Sequence, residues 1–188
     1  MKLQASAALL LMTVGSSAMA QELDLSMSDD TALLKYSTPI SYSAYGQTDA
    51  SFGFMYTEKD DMMVQGGIEM KGEAGSQTPG LMFGMGIRAY GVAFDEGDDI
   101  SSLTIGASVT FVPQQVKRLG LVAEIYYGPD VTTSGDADRF SDFNLRAEYE
   151  MMPEAAFYIG YRNIEAELVN NIDVELDKGG HVGLRMSF

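Results

Sequence analysis

The sequence predicts an all-β protein: a closed, antiparallel, up-and-down β-barrel of the transmembrane kind. Apolar residues recur at every second position through most of residues 50–188, and this is the period of a strand rather than of a helix. Hydrophobic residues make up 46% of the chain, yet its mean hydropathy is only -0.03, so polar residues must be interleaved with them. No apolar run reaches the roughly 18 residues of a transmembrane helix.

Residues 1–20 predict a secretory signal peptide and not a part of the fold. Lys2 supplies a positive charge, residues 5–14 form a short apolar run, and Ala18-Met19-Ala20 matches an A-x-A cleavage site. Because the run is too short to cross a bilayer as a helix, we expect cleavage after Ala20 and a mature chain of residues 21–188.

Eight strands are predicted in the barrel segment, residues 50–188. The clearest is 102–112, where apolar residues at odd positions alternate with hydroxyl residues and glycine at the even positions from 102 to 110. Segments rich in Gly, Pro, Asp and Asn separate the strands, as expected of turns. The strands group into four hairpins: 50–57 with 62–71, 80–94 with 100–112, 118–127 with 140–151, and 155–168 with 180–188.

The N-terminal segment, residues 21–49, is of uncertain role and could supply a strand or a plug. Residues 31–37 have the pattern of a strand, which would make nine. Bacterial barrels normally have an even number, so either 31–37 lies outside the ring or 40–46 adds a tenth strand. The sequence favours eight strands and leaves ten open.

Three features favour a membrane barrel over a soluble β-sandwich. Small Gly, Ser and Thr residues on the polar faces suit a narrow lumen. Tyrosines near strand ends could form an interfacial girdle; they are Tyr56, Tyr90, Tyr126, Tyr127, Tyr149 and Tyr161. The chain also ends in an aromatic residue preceded by apolar residues on the same face, which resembles the signal read by the outer-membrane assembly machinery. That signal consists of Val182, Leu184, Met186 and Phe188.

The polar strand faces should place charged and polar residues in the lumen. They are Glu69, Lys71, Arg88, Glu124, Asn144, Arg146, Glu148, Arg162, His181 and Arg185. Interleaved carboxylates and guanidiniums can satisfy one another, which favours an ion-pair network that plugs the lumen over a charged conduction path. No catalytic residue is predicted, because Ser187 lies roughly 20 Å along the strand from the only histidine, His181. No cofactor motif is present.

The charge balance and the acidic loops suggest partners. Loss of Lys2 with the signal peptide takes the net charge from -15 to -16, which disfavours binding to nucleic acid. If the C-terminus is periplasmic, loops 58–61, 95–99, 128–139 and 168–179 face outward. Their acids could share the divalent cations that bridge lipopolysaccharide. The weak candidates for a metal site are Asp95, Glu96, Asp98 and Asp99.

Several segments resemble the YfaZ family of small outer-membrane proteins. They are residues 28–32 (SDDTA), 72–75 (GEAG), Glu124 with 126–127 (YY) and 129–131 (PDV), 135–139 (GDADR), 146–149 (RAEY), 158–162 (YIGYR) and 179–184 (GGHVGL). The resemblance spans most of the mature chain and is densest after Leu119. It implies an outer-membrane barrel of poorly defined function, and it supplies no catalytic residues.

The leading expectation is an integral outer-membrane protein without catalysis, structural or surface-interacting. Its partners would be outer-membrane lipid, lipopolysaccharide and the barrel-assembly machinery, and its oligomeric state stays open. The alternatives are a narrow channel for ions or small solutes, a lipid-modifying barrel enzyme and a secreted soluble β-protein.

Overall fold

The computed structural model describes residues 21–44, 46–75, 78–95, 99–135, 137–168 and 173–188. The predicted signal peptide and its cleavage site lie outside these residues. Within them, no helix is long and apolar enough to cross a membrane.

Ten strands form a closed antiparallel ring, and an eleventh short strand, β8, lies outside it. The strands are β1 (Glu22–Met27), β2 (Thr31–Ser43), β3 (Gly46–Thr57), β4 (Met62–Glu73), β5 (Leu81–Ala93), β6 (Ile100–Phe111), β7 (Leu119–Gly128), β8 (Thr133–Ser134), β9 (Ala137–Met152), β10 (Ala155–Leu168) and β11 (Asp173–Ser187). Each ring strand pairs with its neighbours in chain order, and β11 pairs with β1 to close the ring. β8 follows a single 3-10 turn, Asp130–Thr132, and pairs with Ser101 and Ser102 of β6.

The favoured count of eight strands is not supported, and the ring has the ten that the sequence left open. Both additional strands, β1 and β2, come from the N-terminal segment, so this segment is part of the wall and not a plug. The predicted strand 31–37 is the first half of β2, whereas 40–46 is divided between β2 and β3. The tenth strand is β1. It has only six residues and its inward-facing positions include acids, so its sequence resembles that of a polar linker.

The two faces of each strand differ as the alternation predicts. On the outer face the apolar side chains are exposed, for example Met85 at 68% and Ile105 at 62%. On the inner face the polar side chains are buried, for example Glu69 at 7% exposure and Arg88 at 4%. The sheet therefore presents an apolar outer surface and encloses its polar residues.

Four of the six girdle tyrosines lie on the outer face, where they are 42–47% exposed. The girdle prediction is wrong for Tyr90 and Tyr126, which are buried inside the ring. Alternation explains this, because Tyr90 lies two residues from Arg88 and Tyr126 lies two residues from Glu124, and residues two apart share a face.

The first and last described residues, Gln21 and Phe188, lie at the same end of the ring, which we call the terminal end. The backbone of Gln21 donates a hydrogen bond of 2.8 Å to the carbonyl of Phe188 and accepts one of 2.9 Å in return. Tight turns such as Pro153-Glu154 connect strands there. The opposite end, which we call the outer end, carries the described parts of loops 28–30, 58–61, 94–99 and 129–136.

Candidate functional site: the barrel lumen

The middle of the lumen holds three arginines, and each pairs with at least one carboxylate. Arg88 and Arg162 are buried, and the Arg146 side chain is 13% exposed. Arg88 on β5 lies 3.3 Å from Asp142 on β9, and its guanidinium lies 3.8 Å from the centre of the Tyr126 ring. The Tyr90 hydroxyl donates a hydrogen bond of 2.6 Å to the same Asp142 carboxylate. The charge of Arg88 is therefore neutralised by Asp142, and its guanidinium packs against the Tyr126 ring.

Arg146 connects strands that lie far apart in the chain. Its Nη1 donates a hydrogen bond of 3.0 Å to Asp24 on β1, and its Nε lies 2.7 Å from Glu148 on the same strand. The Tyr158 hydroxyl donates to the other oxygen of Asp24, and the guanidinium lies 4.9 Å from the Tyr158 ring centre. These contacts bind β1 to β9 and β10 across the lumen.

Arg162 on β10 donates hydrogen bonds to three different residues, more than any other described arginine. Its Nε donates to Asp177 of β11, and its two terminal nitrogens donate to Ser26 and Thr31, each at 3.0 Å. The Ser28 hydroxyl donates to the second oxygen of Asp177 at 2.9 Å. The turn between β1 and β2 is thus held to β10 and β11.

The remaining cations form looser pairs. Lys71 lies 3.3 Å from Asp49 and 3.6 Å from Glu69, and Ser108 also donates to Glu69. Lys35 lies 3.8 Å from Glu124, beyond the length of a direct hydrogen bond.

Arg185 lies near the terminal end and holds two acids. It bonds to Glu22 at 2.9 Å and to Glu148 at 2.7 Å. Because Glu148 also pairs with Arg146, this carboxylate joins the mid-lumen contacts to those near the terminal end.

The structure places all ten predicted lumen residues inside the ring, and all of them except Asn144 and His181 form ion pairs there. These pairs form separate groups, of which the largest joins Arg146, Glu148 and Arg185. The structure also adds six charged residues that the sequence analysis did not place there: Glu22, Asp24, Lys35, Asp49, Asp142 and Asp177. The sequence does indicate an inward position for Asp142, because this residue shares its strand face with Asn144 and Arg146. The sequence predicts a loop at Asp177, but in the structure this residue belongs to the first part of β11.

An apolar layer fills the lumen toward the outer end, and sequence reasoning missed it because it expected polar inner faces throughout. Met55 and Met63, which are paired across β3 and β4, are completely buried, as is Phe140. The layer consists of Met55, Met63, Tyr90, Val92, Ile100, Ala137, Phe140, Ile164, Ala166 and Leu176. The lumen therefore has a polar part and an apolar part along its axis.

Two cavities lie in the polar part. A cavity of about 340 Å³ lies toward the terminal end, and we call it the vestibule. Its charged lining residues are Glu22, Asp49, Lys71, Glu124, Arg146, Glu148 and Arg185. A second cavity of about 20 Å³ lies in the middle of the lumen. Glu124 and Arg146 line both cavities and so form part of the wall between them.

A family model described as YfaZ precursor matches residues 1–188. The chain belongs to the YfaZ precursor family. None of the curated proteins compared with it gives a significant match.

Among solved structures, the chain is similar to a KdgM porin, with 11% identity, a TM-score of 0.47, and coverage of 90% of this chain and 99% of the porin. It is also similar to in-vitro folded OmpT, an outer membrane protein of Vibrio cholerae, with 11% identity, a TM-score of 0.35, and coverage of 93% and 99%.

The predicted assembly signal of this YfaZ-family chain lies on the outer face of the closing strand. Val182 and Met186 are exposed on β11, which pairs with β1 from Glu22↔Ser187 to Met27↔Val182. Phe188 is 65% exposed at the terminal end. The signal therefore lies along the seam where the ring closes.

The acidic loop 95–99 is only partly described. Asp95 forms no ion pair with the described residues. Its backbone N–H donates a hydrogen bond of 3.1 Å to the Asp61 carboxylate. Asp99 is also described, whereas Glu96 and Asp98 lie outside the described residues. Across the described part of this YfaZ-family chain, no three His, Cys, Asp or Glu residues are grouped so that they could hold a metal ion.

His181 lies inside the ring, 4% exposed, with its ring centre 5.7 Å from that of Tyr158. Its contact with Tyr158 is edge-on, and the hydrogen bonds of the described residues do not join it to a serine or a carboxylate.

Proposed function

We propose that this YfaZ-family protein is an integral outer-membrane barrel without catalysis, structural or surface-interacting, whose lumen is closed to solutes. The proposal depends on one observation: the outer face of the ring is apolar while the lumen is filled by paired charges and an apolar layer. An aqueous protein with this surface would expose apolar area far beyond that of ordinary soluble domains.

The apolar outer face supports insertion into lipid. Exposed apolar residues occur on every ring strand, among them Leu34, Phe52, Ile68, Met85, Ile105, Ile125, Leu145, Ile159 and Val182. A closed ring leaves no unpaired sheet edge in the hydrocarbon region, where an unpaired N–H or C=O would be costly. The secretory pattern of residues 1–20 is consistent with export before insertion.

The two-part filling of the lumen supports a closed barrel over the alternative of a narrow channel. Ions entering through the vestibule would first meet the Arg146 ion pairs and then an apolar layer that contains Phe140. A dry apolar layer opposes ions because it offers them no replacement for their hydration shell.

An interaction with lipopolysaccharide is supported by the charge difference between the two ends. The described loop residues of the outer end contain eight acids and one cation, Lys59, whereas those of the terminal end contain one acid, Glu154, and two cations. Divalent cations would be needed to join this acidic end to lipid phosphates. Calorimetry with magnesium or calcium tests this, and no heat of binding would rule it out.

Membrane fractionation and electrical recording together test the proposal. We expect the processed protein in the outer-membrane fraction, with migration on a gel that shifts on boiling, and no unitary current steps in planar bilayers. Recovery of the processed chain in the periplasm without detergent would rule out membrane insertion. Stable unitary steps from the unmodified protein would instead favour the channel.

A further inference from the structure

The mid-lumen cavity of about 20 Å³ is lined by residues with buried polar atoms that have no hydrogen-bond partner. Among the described residues these include Gln65 Oε1, Asn144 Oδ1 and His181 Nδ1, and all three residues line this cavity. The Gln65 and His181 residues are only 6% and 4% exposed. Buried polar groups in folded proteins almost always have a hydrogen-bond partner, so three such atoms on residues that line one cavity indicate an occupant.

Lys35 supplies donors to the same cavity. Its side chain is 16% exposed, and the ion pairs of the described residues give it one carboxylate neighbour, Glu124, at 3.8 Å. At this distance the carboxylate does not take up any of the three ammonium hydrogens in a direct hydrogen bond. The cavity therefore has unsatisfied donors at Lys35 as well as unsatisfied acceptors.

The charges around the cavity favour a neutral occupant. Four cations line it, namely Lys35, Arg88, Arg146 and Arg162, together with the three acids Asp24, Glu124 and Asp142. Asp177 pairs with Arg162 and brings the number of acids to four. Neither an added anion nor an added cation would meet an excess of opposite charge.

We infer that this cavity is a binding site for a buried water molecule that accepts a hydrogen bond from Lys35 and donates to the Gln65 and Asn144 oxygens. The volume is that of about one water, since a site needs roughly 10–15 Å³ to hold one. The occupied site gives Lys35 a hydrogen-bond partner in addition to its ion pair with Glu124.

Water reaches this site from the vestibule and not from the outer end. Glu124 and Arg146 line both cavities, so a small movement of either side chain connects them. Toward the outer end, the described members of the apolar layer around Phe140 carry one side-chain polar group, the Tyr90 hydroxyl, and it already donates to Asp142.

His181 allows a direct test because it is the only histidine in the chain. We would label the folded protein with ¹⁵N-histidine in detergent micelles and measure magnetisation transfer between water and the His181 ring. The wild type is expected to show a cross-peak from a long-lived water, and Gln65→Leu with Asn144→Leu is expected to abolish it. Absence of the cross-peak in the folded wild type would overturn the inference.

Asn163→Leu is the matched control, because Asn163 Oδ1 is also buried without a partner but Asn163 does not line the cavity. This variant should keep the cross-peak, and its loss would overturn the assignment. If the double variant does not fold, a crystal structure of the wild type decides. Density within hydrogen-bond distance of Lys35 Nζ and of the Gln65 or Asn144 amide supports the site. An anomalous bromide peak there, or no density, overturns it.

Discussion

Asp24 Oδ2 lies 3.0 Å from Arg146 Nη1, although 122 residues separate them in the chain. Asp24 is on the short first strand and Arg146 is on β9, so the contact crosses the lumen instead of following the wall. Backbone pairing between β1 and β11 closes the ring. The contact between Asp24 and Arg146 is a second link, which joins β1 to β9 through side chains.

Arg146→Ala is expected to lower the free energy of unfolding by about 3–5 kcal/mol, because it leaves Asp24 and Glu148 buried without their shared cation. Urea unfolding in lipid vesicles, followed by the mobility shift on a gel, measures the change. Arg139→Ala is the control: Arg139 is 52% exposed in a pair with Glu167, and its loss should cost at most about 1 kcal/mol. Equal effects of the two substitutions would contradict a dry network.

The direction in which most side chains point follows from the sequence, since alternation fixes it. Glu69, Arg88 and Glu124 were assigned to the lumen from the face they share with small residues, and they lie there. The same rule, applied to Tyr126 beside Glu124, would have removed that tyrosine from the predicted girdle. At Tyr126 the interfacial preference of tyrosine and the strand geometry give opposite predictions, and the strand geometry is correct.

The number of strands did not follow from alternation alone. The first strand has six residues, Leu23, Leu25 and Met27 facing outward and polar residues facing inward, and so short a pattern is weak evidence. Its place in the ring is decided by pairing with β11 and by the contact of Asp24 with Arg146. Both partners are more than 100 residues away in sequence, where local patterns carry no information.

Gly106→Ala is expected to lower the free energy of unfolding by about 1–3 kcal/mol, because the lumen has no room for the added methyl group. A Cβ at Gly106 would lie 2.3 Å from Tyr126 Cδ1 and 2.4 Å from the carbonyl oxygen of Ile125. Gly66→Ala is the control, since its Cβ would meet only the Ser51 carbonyl oxygen, at 3.8 Å. The same unfolding measurement compares them, and an unchanged stability of Gly106→Ala would show that the Tyr126 ring can move away.

Phe140→Ala is expected to cost about 3–5 kcal/mol because it empties the apolar layer where Phe140 packs 4.5 Å from the Tyr90 ring centre. It should not produce stable current steps in planar bilayers, because the ion pairs of Arg88 and Arg146 remain in the path. Phe143→Ala, on the outer face of the same strand, should cost less, because it leaves no cavity inside the ring. Steady conduction by folded Phe140→Ala would show that the apolar layer alone closes the lumen.

Ile105→Lys is expected to destabilise the barrel in lipid by about 2–4 kcal/mol, the cost of a cation near the bilayer midplane. Ile105 is 62% exposed and paired between Ile87 and Tyr127 on the outer face. Ser101→Lys, nearer the outer end of the same strand, should have little effect. A soluble protein would tolerate both lysines equally, so equal stability of the two variants would contradict a lipid-facing surface.

Phe188→Ala is expected to reduce the amount of barrel assembled in cells while leaving refolding in detergent unchanged. The Phe188 ring is 65% exposed, whereas its backbone N–H and C=O form the hydrogen bonds to Gln21 that complete the seam. Alanine keeps those two bonds and removes only the aromatic end of the predicted assembly signal. Met152→Ala is the control, because Met152 is an apolar residue of equal exposure, 65%, at the same end of the ring. The heat-shifted fraction in isolated outer membranes measures assembly. If Phe188→Ala lowered it no more than Met152→Ala does, the terminal ring would have no special part in recognition by the assembly machinery.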